Sequence, residues 1–103
     1  MKKKTWKELY KPGATGSEGG IVYKDEEYGE SCRITLEKCK NYYAITCGVY
    51  GAMVHTVFCN MQNADSTYES MKKELQSFID RDTTEDEECE FYEAFVSKYQ
   101  FRG

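Results

Sequence analysis

The stretch CGVYGAMVHTVFC, residues 47–59, holds two cysteines and the only histidine of the chain. These are the residue types of a thiolate nucleophile with an imidazole base, or of a zinc centre. Either chemistry needs the groups in contact, so the spacing decides. Tyr50-Gly51 stands between two runs rich in β-branched and aromatic residues, the composition of paired strands. With Tyr50-Gly51 as a two-residue turn, Val49 faces Ala52, Cys47 faces Val54, Ile45 faces Thr56 and Tyr43 faces Phe58. Side chains alternate faces along a strand, which sends Cys47 and His55 to opposite sides. His55 and Cys59 share a side but lie about 13 Å apart at strand rise. The expectation is a hairpin with neither a Cys–His dyad nor a zinc site.

The other cysteines add no metal pattern. The five sit at intervals of 7, 8, 12 and 30 residues, without a C-x2-C pair. The count is odd, and MKKKTWKELY has no apolar core of a signal peptide. The expectation is reduced thiols, mostly small buried side chains, in a protein that stays in the cytoplasm. No phosphate loop, glycine-rich dinucleotide fingerprint or G-x-S-x-G elbow is present. No acidic pair is singled out as a general acid and base. The chain reads as a non-enzyme that needs no cofactor. No apolar run reaches the ~18 residues of a membrane helix, so no membrane partner is expected.

The elements that carry these residues follow from periodicity. The chain has 103 residues, 40% hydrophobic and 31% charged, the size and balance of one globular domain. Residues 1–19 read as an N-terminal arm and flexible linker, with Trp6, Leu9 and Tyr10 at helical spacing and KPGATGSEGG as the connector. Residues 20–103 read as a single α+β domain. Period-two alternation predicts strands over 21–25, 31–38, 42–49 and 52–59, joined by short connections that force antiparallel neighbours. With Lys40-Asn41 as a two-residue turn, Leu36 faces Ile45, Ile34 faces Cys47 and Cys32 faces Val49. One face then collects Cys32, Ile34, Leu36, Tyr43, Ile45, Cys47, Val49, Val54 and Phe58.

After Asn60 the period becomes 3.6. Ser66 with Glu69, and Thr84 with Glu87, read as capping boxes. Tyr68, Met71, Leu75, Phe78 and Ile79 form one apolar stripe; Cys89, Tyr92, Phe95, Val96 and Tyr99 form another. The expected architecture is a four-stranded antiparallel meander with two C-terminal helices packed on one face. Leu75 and Phe78 should meet Ile34, Ile45 and Val54.

Two surfaces remain to carry function. The chain has a net charge of −4, and the negative charge gathers in residues 60–103. That balance argues against direct contact with nucleic acid and favours a basic protein surface as partner. Residues 80–93 hold eight carboxylates and one arginine. Capping explains Asp86 and Glu87. Asp80, Asp82, Glu85, Asp86, Glu88, Glu90 and Glu93 are the candidate partner-binding residues. The second surface is the sheet face away from the helices, expected to show Arg33, Thr35, Glu37, Tyr42, Ala44, Thr46, Gly48, Met53, His55 and Val57. Arg33, Tyr42, Met53 and His55 are the candidates there, because interfaces are rich in Arg, Met and aromatic residues.

A small, acidic, tyrosine-rich single domain without catalytic signatures resembles the anti-CRISPR proteins of phages, plasmids and other mobile elements, in particular inhibitors of Cas9. The resemblance is one of general character and carries no motif. It implies a protein–protein inhibitor that occupies a basic surface meant for guide RNA or target DNA. An immunity protein that neutralises a basic nuclease toxin fits the same description. A housekeeping domain, or a small enzyme with a site assembled from loops, is the third alternative.

Overall fold

The alternating runs become five antiparallel strands: β1 (Trp6–Glu8), β2 (Ile21–Tyr28), β3 (Cys32–Lys38), β4 (Tyr43–Val49) and β5 (Met53–Cys59). Two helices follow, α1 (Ala64–Ile79) and α2 (Glu85–Lys98). This computed structural model describes residues 5–9, 14–16, 18–81 and 83–100. Sheet order follows chain order, so the α+β meander with helices on one face stands, with five strands in place of four.

The added strand comes from the segment expected as an arm. Trp6 pairs with Tyr28 across β1 and β2. Their rings lie 4.9 Å apart, and the Trp6 indole N–H donates to Gln76 Oε1 of α1 at 2.9 Å. Three residues are too few to show a strand period. The helical spacing of Trp6 and Leu9 yields to these long-range contacts; Tyr10 lies outside the described residues. The connector also differs from expectation in its described part. Val22 N–H donates to Ala14 O, Gly16 N–H to Gly20 O and Gly19 N–H to Gly16 O, at 2.9, 2.9 and 3.0 Å. Residues 14–16 and 18–20 thus fold back on the sheet as a hydrogen-bonded loop.

β2 runs three residues past its expected end. A bulge lies between Val22 and Lys24, and it breaks the period-two pattern that marks strands. The β3–β4 register is the expected one: Cys32 faces Val49, Ile34 faces Cys47 and Leu36 faces Ile45. The β4–β5 register is not. Val49 faces Met53, Cys47 faces His55, Ile45 faces Val57 and Tyr43 faces Cys59.

The turn explains this one-residue shift. The favoured two-residue hairpin turns take a positive φ at their first central residue, here Tyr50. No non-glycine residue among those described has a positive φ, whereas Gly51 stands at +78°. Tyr50 and Gly51 instead occupy the centre of a turn closed by Ala52 N–H to Val49 O at 2.9 Å. Positive φ at the second central residue alone is a type II feature, and the loop lengthens by Ala52. Because the strand period is two, the slip turns every β5 side chain over. Met53, His55, Val57 and Cys59 go to the helix side; Val54, Thr56 and Phe58 go to the other.

The N-cap of α1 is Asn63, three residues before the expected Ser66. The Ser66–Glu69 capping box does not form. Asn60 Oδ1 accepts from the N–H groups of Gln62 and Asn63, both at 3.0 Å, and this turn launches the helix earlier. The Thr84–Glu87 box of α2 is present. Tyr68, Met71, Leu75 and Phe78 are buried as expected and join Ile34, Leu36, Ile45, Val57, Phe95 and Tyr99 in the core. Val54 is not among them, because it is 80% exposed on the opposite face. Cys89 is exposed too. Phe91, which the expected stripe left out, packs half-buried against the core instead, stacked on Phe78 with centroids 4.1 Å apart. An aromatic ring buries far more apolar surface than a thiol. Among the described residues, no helix is long and apolar enough to cross a membrane.

Candidate functional site

The slip in β5 reopens the Cys–His question, because Cys47 and His55 are now direct cross-strand partners. Their expected separation onto opposite faces is overturned. Their surroundings give them packing roles. Cys47 is 2% exposed, and burial, then proximity to Cys32, pushes its thiol up to about 12. At neutral pH it is protonated and a poor nucleophile. His55 Nε2 donates to the Tyr99 carbonyl oxygen, and its ring lies edge-on to Phe95. His55 thereby ties the end of α2 to β5. Among the described residues, no three Cys, His, Asp or Glu side chains gather closely enough to hold a metal ion.

The sheet face away from the helices is floored by small and hydroxylic side chains. Asp25, Thr35, Thr46 and Thr56 form one row across β2, β3, β4 and β5. Asp25 is 6% exposed. Its Oδ1 accepts from Arg33 Nε at 2.8 Å and Thr35 Oγ1 at 2.9 Å, and its Oδ2 from Arg33 Nη2 at 2.5 Å. The Thr46 and Thr56 hydroxyls lie 3.3 Å apart. An open groove of about 950 Å³ runs above this floor, between Leu9 and Ala14 on one side and Tyr50, Ala52 and Val54 on the other.

Glu37, on the same face, is 1% exposed. Its carboxylate accepts from Gly20 N–H at 2.8 Å and Glu18 N–H at 3.1 Å. A Cβ on Gly16 would lie 2.4 Å from that carboxylate. The described part of the glycine-rich loop is therefore wrapped around a buried carboxyl group, and it makes one wall of the groove. Sequence reasoning put Glu37 on an exposed face. The available signal was a lone acid on an alternating strand beside a glycine-rich stretch able to donate backbone N–H groups.

The four candidates of the open face are split. Arg33 and Tyr42 lie on it; Met53 and His55 lie beneath the sheet, carried there by the register shift. Val54, Thr56 and Phe58 take their places, and the Tyr42 and Phe58 rings meet at 5.4 Å.

The acidic candidates divide by use. Asp80 closes α1, and its Oδ1 accepts from the Tyr28 hydroxyl at 2.7 Å. Asp82 lies outside the described residues. Glu88 accepts from Thr83 Oγ1 at 3.4 Å. Glu85, Asp86, Glu90 and Glu93 are exposed on α2. None of the α2 acids forms an ion pair among the described residues, whereas Lys24 pairs with Asp65 and Glu69, Lys72 with Glu26 and Lys98 with Glu74. The structure thus brings four of the seven acidic candidates together on one helix as exposed negative charge. No protein-family model, curated protein or solved structure matches this chain.

Proposed function

We propose that this chain is a non-enzymatic, protein-binding inhibitor that lays the acidic side of α2 against a basic nucleic-acid-binding surface of its target, with a Cas9-type nuclease as the first target. The observation that supports this reading is the exposed acidic charge of α2, which forms no ion pair among the described residues. The helix dipole rewards carboxylates in the first turn and fades beyond it, which accounts for Glu85, Asp86 and Glu87. Glu90 and Glu93 lie past that turn and stay exposed, with no ion pair among the described residues. Lysines neutralise acids of α1, so the omission on α2 is local. Clustered carboxylates repel one another, and a partner rich in arginine turns that cost into affinity through charge-assisted hydrogen bonds.

The test titrates the protein against purified Cas9 and measures guide-RNA loading, target-DNA binding and cleavage. Inhibition is expected, weakening as salt rises and falling in the Glu90→Lys, Glu93→Lys double variant. Unchanged Cas9 activity at large molar excess across several orthologues would sink the Cas9 target, and the same titration against basic nuclease toxins then tests the immunity-protein alternative. Inhibition that survives the charge reversals would move the contact to the open sheet face around Arg33 and Tyr42.

A further inference from the structure

The two edges of the sheet are built differently. β1 is three residues long and carries Lys7 and Glu8. A short, charged edge resists pairing with another strand. β5, at the other end, spans seven residues, MVHTVFC, without a charge, a proline or a glycine, and without a break in its register against β4. No strand among the described residues pairs with its outer side. Its Val54, 80% exposed, exceeds the exposure of every other large apolar side chain described. Natural sheets seldom leave so long and uncharged an edge without a strand beside it.

We propose that the outer edge of β5 is a homodimer interface, in which two copies of the chain pair β5 with β5 antiparallel about a two-fold axis at Thr56.

The strand itself points to a second copy as the occupant. Centring on Thr56 is the two-fold register that uses all seven residues. It sets Met53 opposite Cys59 of the second copy, Val54 opposite its Phe58 and His55 opposite its Val57. No pair brings like charges together. Directly opposed residues share a face, so Val54, whose partner on β4 is Gly48, gains an aromatic one. β-branched–aromatic and Thr–Thr neighbours are among the cross-strand pairs that stabilise sheets. The row Thr35–Thr46–Thr56 ends at this edge, and Thr56 against its own copy continues the row into the second subunit. The interface is isologous and closes on itself, leaving the short charged β1 strands as the outer edges of a continuous sheet.

The two-fold axis stands perpendicular to the sheet and puts both helix layers on the same side. The exposed acids of the two α2 helices then share one side of the dimer. Salt that screens them should tighten the dimer, opposite in sign to the salt effect on a basic target.

Sedimentation equilibrium of the full chain under reducing conditions, from low to high micromolar, is expected to show monomer–dimer exchange that strengthens with salt. Val54→Lys, at a position the monomer leaves exposed, should weaken association by roughly tenfold or more, with an unchanged circular dichroism spectrum. Thr56→Cys provides a register test that does not depend on that variant folding. Opposed Cα atoms in an antiparallel pair lie about 4.5–5.5 Å apart, inside the range of about 4.4–6.8 Å that a disulfide spans. Mild oxidation should therefore yield a covalent dimer whose linked peptide, by mass spectrometry, joins position 56 to position 56. A monomer at every concentration overturns the proposal. So does a dimer that Val54→Lys leaves intact, or one in which Thr56→Cys never links to itself.

Discussion

Cys47 and His55 face each other across β4 and β5 on the helix-covered side of the sheet. The contact exists because Tyr50 cannot cheaply take the positive φ of a tight two-residue hairpin, and the loop takes in Ala52 instead. Its chemistry is set by burial, which keeps the Cys47 thiol protonated. Pulsed alkylation at neutral pH should label Cys89 first and Cys39 more slowly, because Cys89 is exposed and Cys39 half-buried. Cys32, Cys47 and Cys59 should react only on unfolding. Peptide mass spectrometry over a time course checks the order. Labelling of Cys47 as fast as that of Cys89 would show an accessible thiolate and return the pair to consideration as a catalytic dyad.

Leu75 is fully buried, and Phe78 stacks on Phe91 with Tyr92 edge-on at 5.4 Å. Leu75→Ala should cost about 2–5 kcal/mol and Phe78→Ala about 3–5 kcal/mol, through lost transfer energy and the cavity left behind. Urea titrations of both variants measure this. A Phe78→Ala midpoint equal to that of the parent would mean that α2 does not dock on α1 through this aromatic cluster.

Glu37→Gln swaps a carboxylate oxygen for an amide that has N–H groups of its own to place. Gly20 and Glu18 already point N–H donors at that position. A loss of about 1–3 kcal/mol is expected for leaving a buried donor unsatisfied. Gly16→Ala should also destabilise, by about 1–3 kcal/mol, because its Cβ must push the carboxylate aside. In both variants the amides of Glu18 and Gly20 should exchange faster with deuterium. Unchanged exchange there would mean that the loop stands without the Glu37 anchor.

Alkaline pH should unfold the protein earlier than its charge alone suggests. Burial first, then the Asp80 carboxylate, pushes Tyr28 up from an ordinary 10.0 to about 12. Burial and then Glu27 do the same for Tyr50. Burial also raises Tyr68 and Tyr99. A raised value in the folded state means that the folded chain keeps a proton the unfolded chain has already released. This stabilisation is whole below about pH 10 and is lost as pH climbs through about 12. Urea midpoints measured at increasing pH should fall across that window, and Tyr28→Phe should flatten part of the slope. A flat profile would mean that these hydroxyls ionise equally well in the fold.

The charge-reversed α2 variant, Glu90→Lys with Glu93→Lys, should stay within about 0.5 kcal/mol of the parent in stability, as exposed substitutions usually do. The comparison is a thermal and a urea melt of each. A large loss would show that these carboxylates support the fold, and would remove the ground for assigning them to a partner.

Sequence alone determined the class of this protein and most of its elements. Period two located β3, β4 and β5; period 3.6 located α1, α2 and the buried faces of Tyr68, Met71, Leu75 and Phe78. The Thr84–Glu87 cap and the β3–β4 register were legible because each is decided by residues close in the chain. The exposed acids of α2 were legible too, as an excess over what one helix end uses. Tertiary structure alone decided the rest. β1 is a strand because Trp6 finds Tyr28 and Gln76, which lie far along the chain. Glu37 is buried because a distant loop brings it N–H groups, and Asp80 is taken up by Tyr28 across 52 residues. The β5 register turned on a backbone torsion at Tyr50, which hydrophobic alternation does not encode. A shift of one residue preserves the alternating pattern while exchanging its faces, so the same apolar spacing fitted both registers until the turn and the helix layer chose between them.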